Sequence, residues 1–163
     1  MSLQKKLKNL KHKRAQIQKI KQEIISDSSG LFDEFRVYIF SKYTELNSFG
    51  WTQFTPYFND GDVTLFSTNT DYLMVNGEYM EESKWYGETE ITEWGTWDQK
   101  TKSYKGRKQH LNSDYNPKLA EAGDEIIDFL NHFDDDFYLD KFGDHAVVTV
   151  SSAELGISDF EHE

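Results

Sequence analysis

Residues 51–66 constrain the fold most, because they have the pattern of a β-hairpin. Asp60-Gly61 suits a two-residue type I′ turn, which requires a positive φ angle at both central residues. With these residues at the turn, Asn59 pairs with Asp62, and this pair fixes the register on either side. The sequence therefore predicts two antiparallel strands that meet at Asp60-Gly61.

The side chains of the predicted hairpin alternate between two faces. One face is expected to enter the core and consists of Phe54, Phe58, Val63 and Leu65. The other consists of Trp51, Gln53, Thr55, Tyr57, Thr64 and Phe66. Aromatic rings among polar groups can stack on a base or anchor a protein, so the candidate binding residues are Trp51, Gln53, Tyr57 and Phe66. We favour the alternative that another segment covers this face, because large apolar groups seldom stay exposed.

Pro56 predicts where the hairpin lies in the sheet. In this register it faces Leu65 in a non-hydrogen-bonded pair, so its missing N–H points away from the second strand. Proline is tolerated at such a position only at a sheet edge or a bulge. We therefore expect the strand at 50–58 to lie at the sheet edge near Pro56.

Local signals predict the remaining elements. The expected helices lie at 2–25, at about 30–43, from Pro117 after the cap Asn116, and at about 135–142. Asp134-Asp-Asp136 is expected to cap the start of this last helix, which stops at Gly143. The expected strands lie at 71–76 before Asn76-Gly77, at 146–150 and at about 155–160. Residues 78–116 contain either a second hairpin, with strands at 91–97 and 102–107, or a long insertion. The chain is thus predicted to be α+β, with an antiparallel sheet of four to six strands and helices mainly on one face.

The first two helices are expected to be separate. Ser26 to Gly30 reads as a break, after which Ser28 or Ser29 caps the second helix. The second helix is expected to bury Leu31, Phe35, Tyr38 and Ile39. This break divides the chain into a helical arm at 1–27 and a domain at 28–163.

The predicted arm has a heptad pattern and a strong positive charge. Leu3, Leu10, Ile17 and Ile24 recur every seven residues. Leu7 adds a second seam position, which Arg14 and Lys21 then occupy, so the heptad stripe is imperfect. Residues 1–25 contain eight Lys or Arg and one Glu, a net charge of +7, whereas the rest of the chain has a net charge of −18. The arm is therefore expected to pack on a second copy or on another protein. Its candidate phosphate-binding residues are Lys5, Lys6, Lys11 and Arg14.

A metal site is a weaker possibility. Asn59, Asp60 and Asp62 place oxygen atoms around a glycine, and hard cations such as Ca²⁺ or Mg²⁺ prefer oxygen ligands. Asp144 and His145 could complete such a site. Asn, Asp and Gly are also ordinary turn residues, and we favour that explanation. No cofactor is predicted, with a divalent cation as the alternative.

Several function classes lack sequence support. The chain has no cysteine, which excludes disulfides and thiol chemistry. It has no Walker loop, no dinucleotide-binding glycine pattern and no serine nucleophile elbow. No apolar run is long enough to span a membrane, and the charged N-terminus lacks a signal-peptide core, so we expect a cytoplasmic protein.

Two motifs carry a resemblance to known proteins. The run Trp51-Thr-Gln-Phe-Thr-Pro-Tyr-Phe-Asn-Asp-Gly-Asp62 and the run Phe142-Gly-Asp-His145, with the terminal Glu161-His162-Glu163, resemble a family of small bacteriophage and bacterial proteins. The resemblance covers roughly residues 28–76 and 117–163. It implies an accessory protein of phage or bacterial origin, in the host cytoplasm if phage-encoded, and assigns no catalytic residue.

Three functions follow as hypotheses. The first is an interaction protein that binds a partner or self-associates through its basic N-terminal helix, leaving nucleic acid as another partner for that helix. The second is a small metal-dependent enzyme acting on nucleic acid. The third is an acidic mimic of nucleic acid that inhibits a host protein.

Overall fold

An antiparallel sheet forms the centre of the protein, described by a computed structural model for residues 2–57, 60–87 and 89–161. The strands are β1 Ser48–Phe54, β2 Ser67–Thr68, β3 Met74–Val75, β4 Glu78–Tyr79, β5 Glu90–Glu93, β6 Thr96–Asp98, β7 Ser103–Lys105, β8 Lys108–Leu111, β9 Ala146–Ser151 and β10 Leu155–Asp159. The helices are α1 Leu3–Lys42, α2 Pro117–Leu130 and α3 Asp135–Phe142. Within the described residues the main sheet has six strands in the order β10-β9-β1-β3-β4, with β2 also paired to β1. The predicted α+β class is confirmed.

Strand β1 lies in the middle of this sheet. It pairs with β9 from Ser48↔Ser151 to Gln53↔Ala146, and with β2 and β3 on its other side. Alternate β1 residues Phe49, Trp51 and Gln53 are buried and face the helices. The Trp51 ring lies in edge contact with Phe32 of α1 and with Phe142 of α3, at centroid distances of 6.4 and 5.1 Å. The core therefore lies between this face of β1 and β9 and the helices.

The predicted hairpin faces are wrong. Trp51 and Gln53, expected on the outer face, are completely buried, whereas Val63 and Leu65, expected in the core, are more than 70 % exposed. Asp60 and Gly61 do take positive φ angles of 40° and 91°, as a type I′ turn requires. However, β1 ends at Phe54 and pairs with β2 through Phe54↔Ser67, so residues 55–57 and 60–66 are not strands.

The end of β1 at Phe54 also decides the outcome of the Pro56 prediction. Pro56 follows β1 in a loop, and β1 is a central strand, so the predicted edge position at 50–58 is wrong. The predicted pairs of Phe58 and Asn59 lie outside the described residues.

The predicted break after residue 25 is also wrong, because α1 is one helix from Leu3 to Lys42. Its C-terminal half packs on the domain through Phe32, Phe35 and Ile39. The expected capping serine instead accepts a hydrogen bond at its hydroxyl, from Lys141 Nζ to Ser29 Oγ at 2.6 Å. Gly30 stays helical, and tertiary contacts on both sides of it outweigh its weak helix propensity.

The predicted caps are confirmed elsewhere. Asn116 caps α2 by accepting hydrogen bonds from the backbone N–H groups of Lys118 and Leu119. Asp134 caps α3 by accepting one from the N–H of Phe137, and α3 ends at Gly143 with φ of 83°. Asn76-Gly77 forms the predicted turn, here between β3 and β4. These signals depend on neighbouring residues only, so the sequence reveals them directly.

Residues 90–111 form the second hairpin, the first of the two predicted alternatives. Strands β5 and β8 pair as one two-stranded sheet, and β6 and β7 pair as another nearer the tip. Gly95 and Gly106 lie between the two sheets with positive φ angles of 67° and 80°. We call residues 90–111 the β-arm.

Candidate docking surface on helix α1

The first half of α1 is an exposed surface. Every residue from Ser2 to Ile24 is exposed, and this half contacts α3 near the middle of the helix, where Lys21 Nζ lies 2.7 Å from Asp136 Oδ2. At 1.5 Å per residue, the 22 residues from Leu3 to Ile24 extend about 32 Å. Isolated helices of this kind are marginal in water, so continuity with the anchored half holds this half in place.

An apolar stripe runs along the whole length of α1. Its members recur every seven residues and keep between 45 % and 73 % of their surface exposed. They are Leu3, Leu10, Ile17, Ile24, Leu31 and Tyr38. Leu31 and Tyr38 were expected in the core, and their exposure corrects that prediction. We call these six residues the exposed stripe.

The exposed stripe borders the core contacts on the anchored half of α1. The residues that pack on the domain are Phe32, Phe35 and Ile39, and Phe35 lies between Leu31 and Tyr38, four and three residues away. The Phe35 ring centroid is 6.1 Å from that of Tyr38, yet Leu31 and Tyr38 keep about half of their surface exposed. The domain therefore leaves the exposed stripe open over all of α1.

The two halves of α1 carry opposite charges. Residues 3–21 contain eight Lys or Arg and no acid, including the candidates Lys5, Lys6, Lys11 and Arg14. Residues 22–35 contain Glu23, Asp27, Asp33 and Glu34 and no Lys or Arg. The helix thus presents a basic half and an acidic half along one apolar stripe.

The C-terminal end of α1 is fixed to α2. Lys42 Nζ lies 2.7 Å from Glu125 Oε2, and the Tyr43 hydroxyl donates a hydrogen bond to the same oxygen at 2.9 Å. Burial favours the protonated form of Glu125, but the hydrogen bonds from Lys42 and Tyr43 outweigh it and lower the Glu125 pKa. Burial raises the pKa of Tyr43 to about 12. This cluster anchors the helix and presents no group titrating near neutral pH.

The candidate binding residues of the hairpin do not form one surface. Gln53 and Trp51 are fully buried and hydrogen-bonded, with Trp51 Nε1 donating to Gln53 Oε1 at 3.0 Å. Gln53 Nε2 donates to the carbonyl oxygens of Tyr138, at 3.2 Å, and Gly143. Gln53 therefore connects β1 to the middle and the C-terminal end of α3 and cannot contact a partner.

The other two hairpin candidates lie in the loop after β1. Tyr57 is 72 % exposed and stacks on the His145 ring at a centroid distance of 4.6 Å. Phe66 is half-buried against the core. The predicted aromatic face is thus divided between the interior and a stacked pair at the surface.

Asp144 holds this loop in place. Its Oδ1 accepts hydrogen bonds from the backbone N–H groups of Thr55 and His145, both at 2.8 Å. Burial favours the protonated carboxyl, but these hydrogen bonds outweigh it and keep the pKa of Asp144 below its usual range. Asp144 is thereby engaged by the backbone on either side of the loop.

The metal hypothesis gains no support from the geometry. In residues 2–57, 60–87 and 89–161, no group of three or more His, Asp or Glu side chains is placed to hold a metal ion. Asp60 and Asp62 are exposed turn residues, and Asn59 lies outside the described residues. Asp144 and His145 instead bind the loop through Thr55 and Tyr57.

No family model, curated protein or solved structure matches this chain. The resemblance to phage and bacterial proteins stays a prediction. Among the described residues, no helix has the length and apolar content needed to cross a membrane.

The β-arm carries exposed aromatic residues that the sequence reading did not select. The Trp94, Trp97 and Tyr104 rings pack together at centroid distances of 5.5 and 5.0 Å and are about half exposed. The guanidinium of Arg107 lies over Trp94, 4.7 Å from the ring centroid. The signal was present as two Trp and one Tyr within residues 94–104, beside five Lys or Arg within residues 100–108. Part of this positive charge is offset, because Lys105 forms a salt bridge with Asp98 and Lys108 pairs with Glu93 across the strands.

Proposed function

We propose that this protein is an interaction protein that binds another protein through α1. The observation that carries the proposal is the exposed stripe, six apolar residues at heptad spacing with 45–73 % of their surface exposed. Helices that repeat apolar residues every seven positions pack against other helices, knobs into holes. The resemblance to phage and bacterial proteins supports an accessory role in a host cytoplasm.

The way α1 is anchored supports docking as its role. Phe35 stacks on Phe129 of α2 at a centroid distance of 3.7 Å, and Arg36 donates hydrogen bonds to the carbonyls of Ser151, the last residue of β9, and Ser152. The domain thus holds the second half of α1 and presents the first half in a fixed direction. A partner then binds an already ordered helix and does not have to order it.

The other two hypotheses have less support. The metal-dependent enzyme would need a ligand group, and the candidate residues that are described are turn residues or hydrogen-bonded to backbone. The nucleic-acid mimic rests on the net charge of −18 outside residues 1–25, with no geometric feature added to it. The exposed stripe is apolar, so it favours docking through an apolar helix face over a metal-dependent reaction or binding through acidic charge.

Two matched variants test the docking function. Ile17→Glu places a charge in the exposed stripe, whereas Gln16→Glu makes the same change in charge about 100° around the helix. Each tagged protein is used to capture proteins from a bacterial lysate that also contains untagged copies of the chain. We expect the wild type and Gln16→Glu to retain the same proteins and Ile17→Glu to lose them. Equal capture by all three, of host proteins and of untagged copies, would contradict the proposal.

A further inference from the structure

We infer that α1 pairs antiparallel with α1 of a second copy of this chain. The inference rests on the proposed function, and it names the partner. It follows from two properties of the helix, the symmetry of its exposed stripe and the separation of its charges. Neither property is needed for α1 to pack on its own domain.

The exposed stripe is symmetric about Ile17. In an antiparallel pair centred on that residue, Leu3 lies opposite Leu31 of the second copy and Leu10 lies opposite Ile24 of the second copy. Residues 3–31 overlap, a length of about 42 Å at 1.5 Å per residue. Every stripe residue in this overlap therefore meets another apolar stripe residue.

The charges also match only in this orientation. The basic half of one helix lies along the acidic half of the other, and Lys6 lies on the same side of the stripe as Asp27 of the second copy, at nearly the same height. Lys13 and Glu23 of the second copy share that side in the same register. A parallel pair would instead place the eight Lys or Arg of residues 3–21 beside the same eight residues of the second copy. Like charges along a coiled coil oppose pairing, so the antiparallel orientation is favoured.

The domain leaves room for the second helix. Leu31 and Tyr38 are about half exposed although they lie on the anchored half of α1. Asp27 and Glu34, which border the exposed stripe, are also exposed. The tip of the second copy can therefore lie along the anchored half without displacing Phe32, Phe35 or Ile39 from the core.

The shape of the pair follows from the heptad spacing. A seven-residue repeat on a straight α-helix drifts by about 20° per heptad, so helices that keep the contact wind around each other with a left-handed supercoil. From Leu3 to Leu31 there are four heptads, a drift of about 80°. Two gently wound helices, crossing with a domain at each end, satisfy this geometry.

Sedimentation equilibrium of the full chain tests the pairing. We expect the wild type and Gln16→Glu to have the mass of a dimer, because Gln16 lies off the exposed stripe. Ile17→Glu brings two carboxylates together at the centre of the pair and is expected to have the mass of a monomer under the same conditions. A monomeric wild type, or equal masses for the two variants, would overturn the inference.

Disulfide formation tests the orientation. The chain has no cysteine, so Leu10→Cys and Ile24→Cys each introduce one thiol. A disulfide requires Cα atoms within about 7 Å. We expect a mixture of the two variants to form the mixed disulfide on mild oxidation, with little disulfide from either variant alone. Self-disulfides of each variant without the mixed product would show a parallel pair and overturn the inference.

The two proposals fail in different ways. A monomeric wild type that still loses captured host proteins on Ile17→Glu would overturn self-pairing and leave the docking function in place. Equal capture by Ile17→Glu and Gln16→Glu, together with equal masses, would overturn both.

Discussion

Gln53→Leu is predicted to destabilise the domain, because Gln53 is the polar link between β1 and α3. The substitution keeps the side chain close to its original volume. It removes the amide oxygen, which accepts hydrogen bonds, and the amide NH2, which donates them. Three hydrogen bonds are lost: from Trp51 Nε1, and to the carbonyl oxygens of Tyr138 and Gly143. A net contribution of about 1 kcal/mol per hydrogen bond gives about 3 kcal/mol, and buried partners left unpaired add to this cost. Against a total of about 5–15 kcal/mol, such a loss is severe.

The free energy of unfolding is measured by urea titration with circular dichroism, which does not depend on the fluorescence of Trp51. Gln109→Leu provides the matched control, because it makes the same chemical change at an exposed position of β8. We expect the control to stay within about 0.5 kcal/mol of the wild type, as surface substitutions usually do.

A double-mutant cycle with Trp51→Phe isolates one bond of the three. If the indole N–H donates to Gln53, the two substitutions should be non-additive by about 1 kcal/mol, because either one removes the same bond. A loss below about 0.5 kcal/mol for Gln53→Leu, or full additivity in the cycle, would refute the idea that this buried glutamine connects the sheet to α3.

Three further predictions concern the helix, the sheet and the acid response. Gly30→Ala should stabilise the protein by about 0.5–1 kcal/mol, because a Cβ there meets open space and alanine favours a helix; destabilisation in a urea titration would argue for a break in α1. Gly50→Ala should prevent β1 and β9 from pairing normally, because the new Cβ would overlap the carbonyl oxygen of Val148; wild-type stability would contradict that pairing. Glu125→Gln should flatten the acid response. The lowered pKa of Glu125 gives stability that is present above its unfolded pKa of about 4.3 and is lost as pH falls through the folded value. Thermal unfolding of both proteins between neutral pH and about pH 3 checks this, and parallel curves would count against it.

The sequence predicted those features that depend on neighbouring residues. The caps Asn116 and Asp134 bind backbone N–H groups two or three positions away, and both were predicted correctly. Asn76-Gly77 and Asp60-Gly61 adopt the positive φ angles expected of them. Short-range chemistry of this kind needs no knowledge of the fold.

The faces of β1 could not be predicted in the same way. The turn at Asp60-Gly61 forms, yet the strand partner of Phe54 is Ser67, not a residue just after the turn. Strand β1 forms most of its residue pairs with β9, and Trp51 pairs there with Val148. A pairing between residues almost a hundred positions apart leaves no local pattern, and it decides that Trp51 and Gln53 are buried.

The continuity of α1 was missed for a related reason. Ser26 to Gly30 has weak helix propensity, which supports a break when the segment is judged alone. The structure spans this segment with contacts from α3, since Lys21 binds Asp136 on one side of it and Lys141 binds Ser29 within it. Propensity is a weak prior that such contacts override. The candidate site depended on this point, because the exposed stripe extends past residue 24 only if the helix is unbroken.

Separate residues of one helix serve folding and docking, and this separation has a consequence for variants. Phe32, Phe35 and Ile39 bury the anchored half of α1, whereas Leu31 and Tyr38 extend the exposed stripe over the same turns. Polar substitutions at Leu31 should therefore weaken docking with little effect on the unfolding free energy of a monomer, and Phe32→Ala should do the reverse by creating a cavity that costs about 3–5 kcal/mol. If the same residues of α1 served both roles, one substitution would weaken docking and lower the unfolding free energy together. Leu31 lies about 100° from Phe32 around the helix and is half exposed, whereas Phe32 is buried, so the two properties are separable on a single helix.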